Sequence, residues 1–252
     1  MSTLSKYVAI SFLCITSTVM LGGCGGNSGI SGHSATAAPT ASPKENPTLQ
    51  LPGTLIIVGN SIMAGCMASL HQPYCDYSMT TAHLIAEQGL RVVNLSRSGN
   101  TIASANAQRV DGGINFTQGD ERGTAIWITL GANDFIWGSS SIEQYRNHYL
   151  TLLNRIDRIA KQKIFCATPL MSGFDYDHRT SSEGTTYEDY RQVVRDIAGE
   201  GQCTLVETSQ WFTSAEIYDE FEMPDTLHLG KDGHIHYAKH LLETIRADYS
   251  DS

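Results

Sequence analysis

Short, nearly continuous apolar runs alternate with longer segments of helical periodicity between Leu51 and Ser252. The apolar runs are Thr54–Gly59, Arg91–Ser96, Ala125–Leu130, Lys163–Ala167 and Cys203–Glu207, and the helical segments are Thr80–Gln88, Ser141–Lys161, Thr185–Gly199 and Asp232–Ala247. Runs of this kind predict strands that are buried on both faces of a parallel sheet. The alternation therefore predicts an α/β fold, a three-layer α/β/α sandwich around a five-stranded parallel sheet with right-handed crossovers.

The start of the chain has a different pattern. Lys6 precedes the apolar run Tyr7–Leu21, and small residues follow, which indicates a signal peptide over residues 1–23 rather than a membrane span. The ending Leu21-Gly22-Gly23-Cys24 resembles the lipobox of bacterial lipoproteins, in which the cysteine takes a lipid and becomes the mature N-terminus. Lipidation of Cys24 is expected on that resemblance, and ordinary cleavage near Gly23 is the alternative.

The segment 24–50 is rich in Gly, Ser, Ala, Thr and Pro and has no apolar periodicity. Such a composition predicts a flexible tether, which would hold a folded domain of residues 51–252 clear of a membrane surface. The expected location is the bacterial cell envelope, in the periplasm or at the outer membrane, with the lipid anchor as the only membrane contact.

Charge and cysteine content narrow the classes of partner and cofactor. The formal net charge is -9, and no cluster of Lys and Arg offsets it, so nucleic acid is excluded as a partner. Oligomeric state leaves no signal in the sequence. No CxxC pair is present, and no metal site or organic cofactor is expected.

Four cysteines remain once Cys14 and Cys24 are assigned to the signal and the anchor. Cys66 with Cys75 would close a short loop, and Cys166 with Cys203 would link two predicted strands. Export permits these disulfides, but small buried thiols are an equally good interpretation, above all for the second pair.

Candidate catalytic groups follow the predicted strands, at the sheet edge where α/β proteins bind ligands. Ser61, after the first strand, is either an exposed nucleophile or a helix cap. Gly99, after the second strand, can present a backbone N–H, and Asn133, after the third, can offer an amide donor. Asp225 and His228 precede the last helix, and the carboxylate can take the Nδ1 proton and leave Nε2 as a base.

In combination, the blocks Gly59-Asn60-Ser61, Ser98-Gly99-Asn100, Gly131-Ala132-Asn133-Asp134 and Asp225-Thr226-Leu227-His228 resemble the SGNH (GDSL-type) hydrolase family, in order and over nearly all of Leu51–Ser252. The resemblance implies a flavodoxin-like sheet. It also implies a Ser61–His228–Asp225 triad and an oxyanion hole formed by Ser61 N–H, Gly99 N–H and the Asn133 carboxamide. One departure is visible, because Asn60 stands where the family usually has Asp.

The function expected from this resemblance is a carboxylic ester hydrolase that forms an acyl-enzyme at Ser61. Two alternatives stay open, an O-acyltransferase with the same triad and a non-catalytic envelope or glycan-binding module. Candidate substrate-binding residues are Phe135, Trp137, Phe174 and Tyr176, and the substrate is a small-molecule or glycan ester of undetermined chain length. His234, His236 and His240 are interpreted as helix or surface residues.

Overall fold

The computed structural model describes residues 51–68, 73–76, 80–105, 123–159, 163–170, 179–181, 184–212 and 227–250. All of them lie within the unit Pro47–Ser252. The signal, the tether and Cys24 are outside the described residues, so their assignments stay predictions.

The elements alternate along the chain. The strands are β1 (Thr54–Gly59), β2 (Cys66–Ala68), β3 (Pro73–Cys75), β4 (Arg91–Asn94), β5 (Thr124–Thr129), β6 (Lys163–Ala167) and β7 (Thr204–Val206). The helices are α1 (Thr81–Glu87), α2 (Ile102–Ala105), α3 (Ala132–Trp137), α4 (Ile142–Ile159), α5 (Tyr187–Gly199) and α6 (Lys231–Ser250), and a 3-10 turn spans Thr208–Gln210.

The main sheet has five strands in the order β4-β1-β5-β6-β7, and every pairing in it is parallel. Counted among these five strands, the order is 2-1-3-4-5, the flavodoxin-like arrangement. The predicted α/β fold with a five-stranded parallel sheet is therefore confirmed.

Each face of the sheet carries its own apolar core. Ile56 and Ile126 point into one cluster, together with Tyr145 and Tyr149 of α4. Their strand neighbours Leu55 and Trp127 point into the other, which α1 and α6 cover. Because successive strand residues face opposite sides, burial of both sets explains why the strands read as continuous apolar runs.

The strand and helix limits differ from the predicted ones by a few residues, and local hydrogen bonds explain two of the differences. The second main strand ends at Asn94 rather than Ser96, because Asn94 Oδ1 accepts the Ser96 N–H (3.0 Å) and turns the chain. Helix α5 begins after Thr186, whose hydroxyl forms a capping box with Asp189.

Several short elements have no counterpart in the sequence prediction. These are the antiparallel β2–β3 hairpin, with Cys66 opposite Cys75 in its register, the helices α2 and α3, and the 3-10 turn Thr208–Gln210. Each strand of the hairpin has three residues, and the helices have four and six, which is too few for a periodic pattern.

A disulfide joins Cys166 at the end of β6 to Cys203 just before β7. It connects two adjacent strands of the sheet. Cys66 is also disulfide-bonded. Cys166 and Cys203 therefore form a disulfide in the structure and are not two separate buried thiols. In the part of the chain that the structure describes, no helix combines the length and apolarity needed to cross a membrane.

Candidate active site

The candidate site lies where the direction of strand order reverses. From β1 the chain moves to β4 on one side and then returns to β5 on the other. In open parallel sheets, loops diverge at this point and leave a crevice outside the carboxyl ends of the strands. The segments that leave β1, β4 and β5 carry the Ser61, Gly99 and Asn133 candidates.

Ser61 sits on a tight turn, Asn60–Gly65, directly after β1. Asn60 Oδ1 accepts the Ile62 N–H (3.0 Å), and the Asn60 carbonyl accepts the Ala64 N–H (3.0 Å). This side-chain acceptor needs a carbonyl oxygen but no charge, and Asn60 is 5% exposed. The replacement of Asp by Asn thus keeps the turn while avoiding the burial of a carboxylate.

His228 lies in the segment before α6 and points at this turn. Its Nε2 is 2.8 Å from Ser61 Oγ, although 167 positions separate the two residues. Ser61 and His228 are 7% and 8% exposed, so the contact is shielded from bulk water. A neutral imidazole at this distance can accept the hydroxyl proton through Nε2.

Two asparagines hold the loop between β4 and α2 against the Asn60–Gly65 turn, which carries the candidate nucleophile Ser61 and is called the nucleophile turn below. Asn94 donates through Nδ2 to the Met63 carbonyl (2.8 Å), and Asn100 donates through Nδ2 to the Gly59 carbonyl (3.0 Å). The Gly59 carbonyl also accepts the Arg97 N–H (3.2 Å), so two hydrogen bonds join this loop to the end of β1. Sequence reasoning assigned no role to either residue, and their only signal was their position at the ends of the Asn94–Asn100 block.

Gly99 has a φ of 77° in this loop. A Cβ at this position would also lie 2.9 Å from Cη2 of Trp137. The backbone conformation and the close indole ring both explain why this position is a glycine.

Asn133 lies in the first turn of α3, right after β5. Its Nδ2 donates to the Asn100 carbonyl (2.9 Å), which uses one of the two amide hydrogens and leaves the other for a ligand. The preceding Gly131 makes this turn possible, because a Cβ there would lie 2.6 Å from Pro169 Cγ and 2.8 Å from the Tyr145 hydroxyl.

Asp134, the next residue, supports the same loop from its other end. Its carboxylate oxygens accept the Ile102 N–H at 3.1 and 3.3 Å, at the start of α2. The side chain is fully buried, and this burial raises its pKa from 3.8 to about 6, although the hydrogen bonds from Ile102 and Ser140 oppose the shift. Successive residues of α3 therefore hold two points of the β4–α2 loop, at Asn100 and Ile102.

Two backbone donors on the segments that follow β1 and β4 are not used within the described residues. Neither the Ser61 N–H nor the Gly99 N–H finds an acceptor there. Unused N–H groups on these two segments are suited to an oxyanion, because they gain their partner only when the negative charge develops.

His234 is a buried residue of α6 rather than a surface one. Its Nδ1 is 3.0 Å from the Thr81 hydroxyl, and burial together with the nearby His228 lowers its pKa to about 4. His234 is therefore neutral at pH 7. His236 and His240 contact Trp211, the first through the Trp211 carbonyl and the second by ring stacking.

The predicted substrate-binding residues fall into two groups. Trp137 is 58% exposed, whereas Phe135 is 5% exposed and packs against the Tyr187 and Tyr190 rings at 5.2 and 5.9 Å. Phe174, Tyr176 and the triad candidate Asp225 lie outside the described residues.

Among the residues that the structure describes, no group of three or more His, Cys, Asp or Glu side chains is placed to hold a metal ion. The chemistry available at the site is nucleophilic. A hydroxyl, an adjacent base and spare N–H donors meet at one crevice, and this arrangement is suited to acyl transfer.

Solved structures of similar fold include a hydrolase, an acetylxylan esterase and a member of a lipolytic family. LAE5, described as an alpha/beta hydrolase enzyme from the metagenome of Lake Arreo, Spain, superposes with a TM-score of 0.59 at 21% identity, covering 78% of this chain and 97% of LAE5. Axe2, an acetylxylan esterase from Geobacillus stearothermophilus, gives 0.58 at 20% identity over 78% of this chain and 96% of its own. A member of the lipolytic protein G-D-S-L family from Veillonella parvula gives 0.59 at 13% identity over 75% and 96%.

At these identities the structural likeness shows the fold alone. No curated protein sequence matches the chain. Residues 57–235 match the GDSL-like lipase/acylhydrolase family, and this range includes the nucleophile turn, the β4–α2 loop, α3 and His228. The chain therefore belongs to the GDSL-like lipase/acylhydrolase family and is a hydrolase that acts on ester bonds.

Proposed function

We propose that this protein is a serine-dependent carboxylic ester hydrolase that works through an acyl-enzyme at Ser61. The observation that carries the proposal is the 2.8 Å contact between His228 Nε2 and Ser61 Oγ, made across 167 positions of sequence. A serine hydroxyl is a weak nucleophile until a base takes its proton, and a buried imidazole at this distance supplies that base.

In the first half-reaction, Ser61 Oγ forms a bond to the ester carbonyl carbon while its proton passes to His228 Nε2. The carbonyl oxygen becomes an oxyanion, which accepts hydrogen bonds from Ser61 N–H, Gly99 N–H and the free Asn133 amide hydrogen. The tetrahedral intermediate then breaks the C–O bond, and His228 gives the proton to the departing alcohol. In the second half-reaction, water repeats these steps and releases the carboxylic acid.

Asp225 is assigned the third place in the triad by the motif Asp225-Thr226-Leu227-His228. A carboxylate that accepts the His228 Nδ1–H would hold the tautomer with a free Nε2 and stabilise the imidazolium formed during attack. This role is part of the proposal.

The proposal is tested with the purified domain and ethyl acetate, an ester with a small alcohol. Ser61→Ala and His228→Ala should each lower kcat by about 10⁴-fold or more, by analogy with triad deletions. His83→Ala is the matched control, because His83 is an exposed histidine of α1 that lies 3.4 Å from Glu87.

Equal rates for the wild type and Ser61→Ala would refute the catalytic role of Ser61 and favour a non-catalytic binding module. Retained activity in His228→Ala with loss in His234→Ala would assign the base to His234 of α6 instead. Product analysis with an added glycan acceptor separates hydrolysis from acyl transfer, because the first half-reaction is common to both.

We also propose that the protein is exported and lipid-anchored at the cell envelope. The support comes from the basic start, the apolar run and the Leu-Gly-Gly-Cys ending of the first 24 residues.

A further inference from the structure

The start of α1 contacts both segments of the chain that carry the proposed catalytic pair. On one side, Thr80 packs against the end of the nucleophile turn, where a Cβ on Gly65 would overlap Thr80 Cγ2. On the other side, the Thr81 hydroxyl lies 3.0 Å from Nδ1 of His234, in the first turn of α6. Two consecutive residues at the start of α1 therefore bridge the nucleophile turn and α6.

His234 is connected to the proposed base, His228, through a short stretch of backbone. The His234 N–H donates to the carbonyl of Gly230 (3.0 Å), which lies two residues after His228. Leu229, between His228 and Gly230, is fully buried in the apolar cluster that also contains residues of the nucleophile turn and of α1. Because close-packed interiors transmit displacements, a shift of α6 relative to α1 would move the His228 imidazole relative to Ser61.

Histidine is an unfavourable residue for position 234 if packing is the only consideration. The side chain is fully buried, and its Nε2 has no hydrogen-bond partner in the part of the chain that the structure describes. A buried polar atom without a partner lowers stability, and an apolar side chain of similar size would avoid this cost. The hydrogen bond to Thr81 is the contribution that an apolar side chain could not make.

The charge state of His234 is compatible with a place beside the base. Burial, together with the nearby His228, lowers the pKa of His234 to about 4, so its imidazole is neutral at pH 7. A neutral ring does not oppose the positive charge that His228 gains when it takes the Ser61 proton, whereas a lysine at this position would. His234 can therefore hold α6 through a hydrogen bond without disfavouring the imidazolium.

We propose that the start of α1 acts as a spacer for the catalytic pair, in which the hydrogen bond between Thr81 and His234 fixes the distance from His228 Nε2 to Ser61 Oγ. Thr81 and His234 are positioning residues, because they act through α6 and His228. This inference rests on the proposed function of Ser61 and His228, and it adds two residues on which the rate of that reaction depends.

The test is the double variant Thr81→Val/His234→Leu, which replaces both partners by apolar groups of similar size. Its Tm should stay close to that of the wild type, because no buried group is left without its partner. Its kcat on ethyl acetate should nevertheless fall about tenfold with KM unchanged, since a misplaced base weakens the transition state and leaves substrate binding intact. Thr151→Val/His83→Leu, which makes the same two changes at exposed positions of α4 and α1, should keep the wild-type kcat.

Three single variants show whether the two residues act through their shared hydrogen bond. Thr81→Val and His234→Leu should each lower kcat about as much as the double variant, because either change removes the whole bond. His234→Asn keeps a polar atom near the position of Nδ1 and should retain most of the wild-type kcat.

A wild-type kcat in the double variant, or losses in kcat that add from the single variants to the double, overturns the spacer. A fall in kcat that is accompanied by a large fall in Tm in the double variant also overturns it, because the hydrogen bond would then serve stability alone. Failure of the proposed function is distinguishable, since the wild type would then be no faster on ethyl acetate than Ser61→Ala.

Discussion

Neutral amide side chains build most of the catalytic crevice. Asn60, Asn94, Asn100 and Asn133 each bond a backbone N–H or carbonyl between segments or within a turn. An amide both donates and accepts, and its burial costs far less than the burial of a charge. The four amides therefore hold the turn after β1, the β4–α2 loop and the start of α3 together without a charged group.

Asn133 is expected to contribute to the rate through its second amide hydrogen, besides holding the Asn100 carbonyl. Removal of one oxyanion donor typically slows turnover by about 10²–10³-fold, so Asn133→Ala should lower kcat by this amount with little change in KM. Asn147→Ala, at an exposed position of α4, is the matched control. Steady-state kinetics on ethyl acetate measure the effect, and an unchanged kcat would remove Asn133 from the oxyanion hole.

Asp134 should make stability depend on pH. Its pKa is about 6 in the folded protein against 3.8 when unperturbed, so between these values the folded state holds a proton that the unfolded state has lost. The stabilisation from this group is complete below pH 4 and is lost as pH rises through about 6, a change of about 2–3 kcal/mol.

Asp134→Asn, which cannot ionise, isolates this effect. Urea unfolding at pH 4, 5, 6 and 7 should show the wild type losing about 2–3 kcal/mol relative to the variant across the series. Parallel profiles for the two proteins would contradict the raised pKa.

Among the elements, the short helix α3 does the most to organise the site. In six residues it presents the Asn133 amide, holds the β4–α2 loop through Asn133 and Asp134, and ends in the exposed Trp137. Such a helix is not stable by itself, because isolated helices below about 12 residues are marginal in water. Packing of Phe135 between Tyr187 and Tyr190 of α5 supports it.

The last two strands depend on a covalent link as well as on packing. The Cys166–Cys203 disulfide spans 37 positions and closes a loop that contains α5. A disulfide that closes a loop of this length stabilises the folded protein by roughly 2–4 kcal/mol, because it restricts the conformations of the unfolded chain.

A double-mutant cycle distinguishes this link from simple burial of two thiols. Cys166→Ala, Cys203→Ala and the double variant should all lose about 2–4 kcal/mol of unfolding free energy, because either single change removes the whole bond. Losses that add in the double variant would instead indicate two independent buried thiols.

At the scale of the whole molecule, one topological feature gathers the site. The order β4-β1-β5 brings the segments that follow three strands to one crevice, and the segment before α6 adds His228. The two apolar cores on either face of the sheet keep these segments in register.

Lipidation of Cys24 is predicted for the full chain, including residues 1–23, when a bacterial cell exports it. When the full chain is expressed in a bacterial host, the wild type should sediment with membranes and incorporate labelled palmitate, whereas Cys24→Ala should do neither. Hydrolysis of ethyl acetate by the released protein should be unchanged, since residue 24 precedes the folded domain. A variant that still incorporates palmitate would show that another residue is acylated.

Fold class and the identity of the main chemical groups could be read from local patterns. Strands buried on both faces are apolar throughout, and this pattern can be recognised in the sequence without knowledge of the fold. Ser61, Gly99 and Asn133 stood out because each lies within a few residues of the end of a strand, and His228 because it precedes the last helix. The fold class is confirmed, whereas the catalytic roles of these residues await the kinetic tests.

Contacts between residues distant in the chain were decided only by the tertiary structure. The short helices α2 and α3 leave no periodic signal in the sequence. The same holds for the contacts of Asn94, Asn100 and Asp134 and for the burial of His234 against Thr81, because these contacts join residues far apart in the chain. The choice between a disulfide and two thiols depended on whether Cys166 and Cys203 meet across β6 and β7. Local patterns show which side chains a segment buries. Which catalytic side chains meet depends on the order of the strands in the sheet, and a local pattern does not contain that order.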